Sequence, residues 1–166
     1  KPNFDLLIAF APEDLIPTLK TYDNQGKVFF EAKINGPTAG EGMPSIYADF
    51  GCEDAFLKNN STKKSLEDMS FSGYFTNGEA RSLKTMEFVM RDFKAKPDVG
   101  IFSGNLKVVN FLSPDINLQL RSEFNLEFLA EFFNIQNLEQ MDGFIGLTMN
   151  FHDIIDLNHP EKSIEK

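Results

Sequence analysis

The feature of this chain that most constrains its fold is a pattern of secondary-structure signals that occurs twice. Each copy reads as a strand, a short amphipathic helix, a glycine and a second strand. The first copy comprises residues 4–10, 12–19, Gly26 and 27–34, and the second comprises residues 116–121, 126–133, Gly143 and 145–151. Because a repeat built from strands grows by adding units to a sheet, the pattern predicts an elongated sheet rather than an enzyme with an enclosed pocket.

Apolar and polar residues alternate along nearly the whole chain, and a period of two is typical of strands with one buried face. The apolar positions of successive strands are Leu6, Ile8 and Phe10; Val28, Phe30, Ala32 and Ile34; Ile46, Ala48 and Phe50; Met69, Phe71, Gly73 and Phe75; Met86, Phe88 and Met90; Phe102, Gly104, Leu106 and Val108; and Ile116, Leu118 and Leu120. Val89, Arg91 and Phe93 fall on the opposite side of their strand. Turn signals such as Asn77-Gly78 separate the strands. Eight or nine strands with short connections predict an antiparallel meander.

Two stretches have the pattern of short α-helices. Residues 14–20 give about two turns, interrupted by Pro17. Residues 125–133 are the stronger candidate, because Asn125 is a favourable N-cap and Glu127 lies in the first turn. The apolar stripe of this second helix consists of Leu126, Leu129, Ala130 and Phe133.

The aromatic composition predicts the shape of the sheet. The chain has eighteen Phe, three Tyr and no Trp, and Phe has no polar group with which to face water. A flat sheet would leave too much of this apolar surface wet, so we expect strong twist to curl it into a trough with the apolar side inward. The polar residues predicted to face water are Glu31, Lys33, Ser70, Ser72, Ser103, Lys107, Gln119 and Arg121. Gly73, Gly104 and Gly146 lie within strands and fit sharp bends.

The predicted fold class is therefore mainly β, a curled antiparallel meander sheet that forms a β-groove, with two short α-helices. The chain begins abruptly at Lys1-Pro2-Asn3 and enters a strand at once. We therefore expect residues 1–156 to form a single β-rich repeat domain excised from a longer protein, followed by a fraying tail at residues 157–166.

Charge and cysteine content exclude several classes of partner. The net charge of −9 argues against nucleic acid and against an anionic membrane surface, because both need a basic patch. The local cluster of Lys58, Lys63 and Lys64 reads as a solvated turn. Cys52 is the one cysteine, which excludes an internal disulfide and a cysteine metal site, and we expect it to be a small buried hydrophobe near a strand end.

No combination of residues points to catalysis or to a cofactor. His152-Asp153, with Asp156 and His159 behind them, is the best metal-like group, but its spacing matches no metal-binding motif. The adjacent carboxylates at 13–14 and 53–54 are placed where a helix or a turn begins. The sequence contains no nucleophile motif and no phosphate-binding glycine loop. We predict a protein that is not an enzyme and that holds neither a metal nor a cofactor.

A recurring pattern of strands and turns occupies residues 44–50, 65–78, 86–95, 100–111, 126–133 and 141–151. These segments resemble the periplasmic repeats of AsmA-like proteins, in particular those of Bacteroidetes-type bacteria. They are patterns of strands and turns and contain no catalytic signature. The resemblance covers most of the chain, from about Leu15 to Phe151.

The resemblance implies long proteins, including TamB-like relatives, that are anchored in the inner membrane and cross the periplasm. Their repeated β-grooves are apolar inside and are proposed to carry phospholipid acyl chains toward the outer membrane. By this resemblance the partners are phospholipids, neighbouring repeats of the same chain and an inner-membrane anchor outside this sequence. The membrane anchor and any part facing the outer membrane are absent from these 166 residues.

Two functions remain open on the sequence alone. In the first, an apolar groove binds acyl chains, and its lining includes Phe30, Phe71, Phe75, Phe88, Phe102 and Phe151. In the second, the same residues form the dry core of a structural or protein-binding β module of the cell envelope. The two differ in geometry, since the spacer needs two packed sheets and the groove needs one open curled sheet.

Overall fold

The protein is a seven-stranded antiparallel sheet in a computed structural model that describes residues 20–36, 42–133 and 143–154. The strands are β1 (Tyr22–Asn35), β2 (Ser45–Asn59), β3 (Ser65–Thr76), β4 (Glu87–Lys96), β5 (Gly100–Val109), β6 (Asp115–Asn125) and β7 (Phe144–Ile154). A 3-10 helix (Leu83–Thr85) lies between β3 and β4, and the α-helix α1 (Leu126–Phe132) follows β6. Each strand pairs with the next one along the chain, and β1 and β7 do not pair with each other. The mainly β, open meander predicted from the sequence is confirmed.

The alternation of the sequence separates the two faces of this sheet. Directly opposed residues in an antiparallel pair lie on the same face, so the register assigns each side chain. Phe50 of β2 lies opposite Phe30 of β1 and Gly73 of β3, and Phe75 lies opposite Phe88 of β4. This face, which we call the inner face, carries the apolar residues. The outer face carries the polar residues that alternate with them, including Glu31 and Lys107.

Three bulges bend β2, β3 and β4. Asp54, Asp68 and Asp92 adopt φ values of 48°, 48° and 53° at the register shifts of these strands, and Gly26 of β1 lies opposite the bulge in β2. Bulges sharpen the right-handed twist and bend a strand, which curls the sheet. None of the three bulges falls at Gly73, Gly104 or Gly146, the glycines that fit bends in the sequence. The glycines at 73 and 104 instead give room for neighbouring strands, whereas nothing lies within 4 Å of a Cβ added at Gly146.

The bulge in β4 also corrects the predicted faces. Simple alternation places Phe93 opposite in direction to Phe88, but the extra residue at Asp92 reverses the pattern. Phe93 therefore pairs with Gly104 and packs on the inner face with the core. Similarly, the carboxylates Glu53 and Asp54 lie within β2 rather than at the start of a helix or turn.

A core forms where the bulges gather on the inner face. Its buried residues are Val28, Cys52, Ala55, Met69 and Ala95, with Leu57, Leu66, Phe71, Phe93 and Phe102 packed against them. These residues come from β1 to β5 of one sheet, and Cys52, Ala55 and Ala95 are each 1% exposed. Cys52 is buried as predicted, although it lies in the middle of β2 rather than near its end.

The helix α1 begins as predicted, and its buried residues agree with the predicted stripe only in part. The Asn125 side chain accepts a hydrogen bond from the Glu127 backbone N–H at 3.0 Å, which caps the helix. Its buried residues are Phe128, Ala130 and Phe132, whereas Phe133 is 55% exposed. Of the predicted stripe, Ala130 is buried as expected and Leu126 and Leu129 are partly buried, whereas Phe133 was wrong because it follows the last helical residue.

Some predictions fall on residues outside the described ranges. These are the strand at 4–10, most of the helix at 14–20 and the tail at 157–166. The two glycines of the repeated pattern can be compared, and both have positive φ, 155° at Gly26 and 137° at Gly143.

Candidate functional site

The six phenylalanines predicted to line a groove all lie on the inner face. The register places Phe30 opposite Phe50, Phe75 opposite Phe88, and Phe71 opposite Cys52. Phe102 lies opposite Ala95, and Phe151 lies opposite Leu118. Each of the six is partly buried. The strands therefore bring together, on one side of one sheet, residues up to 121 positions apart in the sequence.

The inner face also has lining residues that were not selected from the sequence. They are Phe50, Phe93, Leu106, Leu118, Leu120, Phe124, Ile145 and Met149. The Phe50 ring contacts the rings of Phe71 and Phe88, with centroids 6.4 Å and 5.4 Å apart. Phe102 and Phe124 stack at 5.4 Å. Alternation within each strand could have identified all of these residues except Phe93, which the bulge reverses.

We call this apolar inner face of β1 to β7 the trough, and its two ends differ. At one end, the helix end, α1 packs near the strand ends and Phe124, Phe128 and Phe132 are 6%, 2% and 1% exposed. At the other end, the rim, the chain passes through the β3–β4 connection (residues 77–86) and the β5–β6 turn (residues 110–114). Inner-face residues near the rim, including Phe75 and Phe88, remain partly exposed.

Hydrogen bonds hold α1 across the helix end. The Phe132 carbonyl oxygen accepts from the Tyr22 hydroxyl and from the Asn59 side-chain amide, each at 2.9 Å. Asn59, 3% exposed, also accepts from the backbone N–H groups of Ser61 and Thr62 through its side-chain oxygen. Four strand spacings of about 4.8 Å separate β2 from β6, whereas seven helical residues rise only about 10 Å. The ends of β2 and β6 must therefore lie closer together than in a flat sheet, which agrees with a sheet that curls.

An ion-pair cluster lies beside this contact. The Lys64 ammonium is 2.8 Å from the Asp98 carboxylate and 3.2 Å from the Glu131 carboxylate. The hydrogen bond to Asp98 is the main cause that raises the pKa of Lys64. Burial raises the pKa of the Tyr22 hydroxyl, partly offset by Asn59. The β2–β3 turn, the β4–β5 turn and α1 thus meet at one end of the trough, and Lys64 is part of this contact rather than of a free solvated turn.

The thiol of Cys52, which is buried in the core of the inner face, is not activated as a nucleophile. Cys52 donates a weak hydrogen bond to the Met69 carbonyl oxygen at 3.7 Å. Burial raises its pKa to about 11, so the neutral thiol predominates at neutral pH. Because the thiolate is the nucleophile, Cys52 has none of the activation that a catalytic cysteine needs.

The outer face has the opposite character. Tyr47 and Tyr74 stack with centroids 5.9 Å apart, and the Arg91 guanidinium lies 5.3 Å above the Tyr74 ring. Lys107 forms an ion pair with Glu87 at 2.8 Å, and its hydrogen bond is the main cause that lowers the pKa of Glu87. These interactions are solvated and locally satisfied. Neither face is covered by a second sheet in the described ranges, and the inner face carries the larger share of the Phe, Leu, Ile and Met side chains of the strands, although Phe29 and Phe144 are exposed on the outer face.

The described residues contain neither a metal-binding cluster nor a membrane-spanning helix. Within the described ranges, no group of three or more His, Cys, Asp or Glu side chains is placed to hold a metal ion. His152 instead contacts the Asp115 carboxylate at 2.9 Å, and Asp156 and His159 lie outside those ranges. No helix of the described chain is long and apolar enough to cross a bilayer.

Comparison with known proteins gives no match: no protein-family model, no curated protein and no solved structure is similar to this chain.

Proposed function

We propose that this chain is a periplasmic β-groove segment of an AsmA-like protein and that its trough binds phospholipid acyl chains. In the full-length protein, an inner-membrane anchor and neighbouring repeats would extend the groove for phospholipid transport and outer-membrane biogenesis. The observation that carries the proposal is the continuity of the apolar inner face from Val28 and Phe30 on β1 to Met149 and Phe151 on β7.

The chemistry of an acyl chain matches this surface. A hydrocarbon chain needs apolar area and no directed polar contact, and burial of each methylene contributes about 0.8 kcal/mol. Phe75, Phe88 and Met90 supply such area near the rim without a charged group between them. The row of rings from Phe50 to Phe88 adds flat contact surface along the trough.

The alternative is a structural or protein-binding β module of the cell envelope. The core at the bulges favours this alternative, because Cys52, Ala55 and Ala95 are buried there as in an ordinary closed core. A spacer of the sandwich type, however, needs two packed sheets, whereas the described residues form a single sheet. The partly exposed half of the trough near the rim is therefore where the two functions differ.

Native mass spectrometry of protein purified from cells tests the proposal. We expect a population with one or more phospholipid adducts in the unmodified protein. Phe88→Glu places a charge in the trough and should abolish the adducts, whereas Phe29→Glu, on the outer face at a side chain already 46% exposed, should retain them. Circular dichroism establishes that both variants fold. Adducts absent from the folded unmodified protein, or equally abundant in both variants, would reject lipid binding in the trough.

A further inference from the structure

Exposed apolar side chains lie at both ends of the trough in the described ranges: Val99, Phe133 and Phe144 at the helix end are 58%, 55% and 60% exposed, and a further group lies at the rim. Those of the rim connections and adjoining strand ends are Ile34, Met43, Leu83, Leu112 and Ile154, with exposures of 60%, 47%, 42%, 62% and 57%. Single exposed apolar residues are common on proteins, so the position and the neighbours of each one decide whether it belongs to an interaction surface. Leu83 lies in the β3–β4 connection and Leu112 in the β5–β6 turn, the two connections that define the rim.

Hydrogen bonds fix both leucines in position. The Phe111 backbone N–H donates to the Leu83 carbonyl oxygen at 2.8 Å, and the Asn110 N–H donates to the Met86 carbonyl oxygen at 3.0 Å. These bonds join the β5–β6 turn to the β3–β4 connection. Leu83 and Leu112 are therefore exposed on two segments that are hydrogen-bonded to each other.

Asn77 anchors the same connection to the sheet. It is fully buried, donates to the Pro44 carbonyl oxygen at 2.8 Å and accepts from the Ile46 N–H at 2.9 Å. The Thr85 hydroxyl donates to the Asn77 carbonyl oxygen at 2.6 Å. The predicted Asn77-Gly78 turn is thus the start of a longer connection, in which Gly78 takes the positive φ of 69°.

The charges around Leu83 are mixed. Glu79, Arg81 and Lys84 are all exposed, and in the described ranges no ion pair joins Arg81 or Lys84 to a carboxylate. The two cations complement phosphate, and Glu79 complements the ammonium group of the same headgroup. The net charge of −9 opposes approach to an anionic surface. A zwitterionic phospholipid surface therefore fits the rim better than an anionic one.

We propose that the rim docks on a zwitterionic phospholipid surface and that Leu83 and Leu112 enter its acyl region. Phe75, on the inner face, contacts Phe111 of the rim with ring centroids 6.3 Å apart, so the docked end is continuous with the trough. The inference rests on the proposed function for its purpose, since docking would bring acyl chains to the trough. The binding event itself is separate, because it involves the rim residues alone.

Single tryptophans test the orientation of docking. The chain has no Trp, so Leu112→Trp and Val99→Trp each introduce one reporter, at the rim and in the β4–β5 turn of the helix end. Val99 is a matched control because it is 58% exposed, close to the 62% of Leu112. With vesicles of phosphatidylcholine brominated on the acyl chains, we expect quenching at position 112 and none at position 99. Equal quenching at the two positions, or none at either, would overturn the proposal.

A binding series tests the two leucines and the headgroup preference. In co-sedimentation with phosphatidylcholine vesicles, Leu83→Asn and Leu112→Asn should each weaken binding about tenfold, and Val99→Asn should leave it unchanged. Replacing part of the phosphatidylcholine by phosphatidylglycerol should weaken binding further. Unchanged binding of the double leucine variant, or tighter binding to the anionic vesicles, would contradict the inference.

These measurements distinguish failure of the docking proposal for the rim from failure of the acyl-binding proposal for the trough. Vesicle docking without copurified phospholipid would remove the proposed function and leave the rim as a lipid-binding surface. Phospholipid adducts without quenching at position 112 would retain the trough and overturn docking by the rim.

Discussion

The rings of Phe50 and Phe88 stack 5.4 Å apart although the whole of β3 lies between their strands. They meet over Gly73, which lies opposite Phe50 in the register and has no side chain to separate them. A Cβ added at Gly73 would overlap the Val89 carbonyl oxygen and would lie 2.8 Å from the Phe50 ring. The aromatic row along the trough therefore depends on one missing side chain.

Gly73→Ala should lower the free energy of unfolding by about 3 kcal/mol, because the new methyl group overlaps backbone that cannot move freely. Gly146→Ala is the matched control, since nothing lies within 4 Å of its added Cβ. It should leave stability unchanged or raise it by about 0.5 kcal/mol, because alanine restricts the unfolded chain. Urea denaturation measures both, and similar values for the two variants would show that Gly73 does not set the packing.

The strands and their faces could be predicted from the sequence because alternation reports one buried side directly. Phe30, Phe71 and Phe75 reached the inner face because their strands keep the period of two between bulges. Phe93 could not be placed, since the single extra residue at Asp92 reverses the faces and leaves no strong signal in composition. An aspartate within an alternating strand is the one available cue, because Asp tolerates positive φ better than most residues.

The ends of the trough could not be predicted. The side of α1 that is buried depends on Tyr22 and Asn59, which lie 110 and 73 positions from their partner Phe132. No local pattern encodes contacts of that separation. The tied turns at the rim likewise depend on the bond between Phe111 and Leu83, which forms only once β4 and β5 are paired.

The bulge at Asp68 should tolerate glycine but not valine. Its φ of 48° is accessible to glycine and strained for a β-branched residue, so Asp68→Val should lose about 2 kcal/mol of stability. Asp68→Gly also removes the exposed ion pair with Lys96 and should change stability by less than about 0.5 kcal/mol. Glu67→Val controls for the added valine on the same strand. Equal losses from valine at 67 and 68 in thermal denaturation would argue against a backbone origin.

The hydrogen bonds that hold α1 predict losses of stability that grow with the number of bonds removed. Asn59→Ala removes three hydrogen bonds of a buried amide and should cost about 3 kcal/mol, and Tyr22→Phe removes one hydroxyl and should cost about 1 kcal/mol. Tyr47→Phe removes an exposed bond to Asp49 and should have little effect. Hydrogen exchange should show faster exchange of residues 126–132 in the first two variants alone. Unchanged protection of α1 in Asn59→Ala would show that the helix is held by other contacts.

Cys52 should make stability fall at alkaline pH. Its pKa is about 11 in the folded chain against 9.0 for the ordinary thiol, so the unfolded chain loses its proton first. The contribution of the thiol is therefore fully present below about pH 9 and is lost as pH rises to about 11, by up to about 3 kcal/mol. The difference between the unmodified protein and Cys52→Ala isolates this effect from tyrosines and lysines. A difference that does not change between pH 8 and pH 11 would contradict a raised thiol pKa.

The most direct test of the trough is photocrosslinking in cells from two adjacent positions of β3. Benzoylphenylalanine replaces Phe75, which lies on the inner face opposite Phe88, or Tyr74, which lies on the outer face opposite Val89. Both side chains are partly buried, so the two positions differ mainly in the face that they report. Phospholipid crosslinked at position 75 and absent at position 74 is the result predicted for an acyl-binding trough. Crosslinks to phospholipid at neither position, or equally at both, would contradict it.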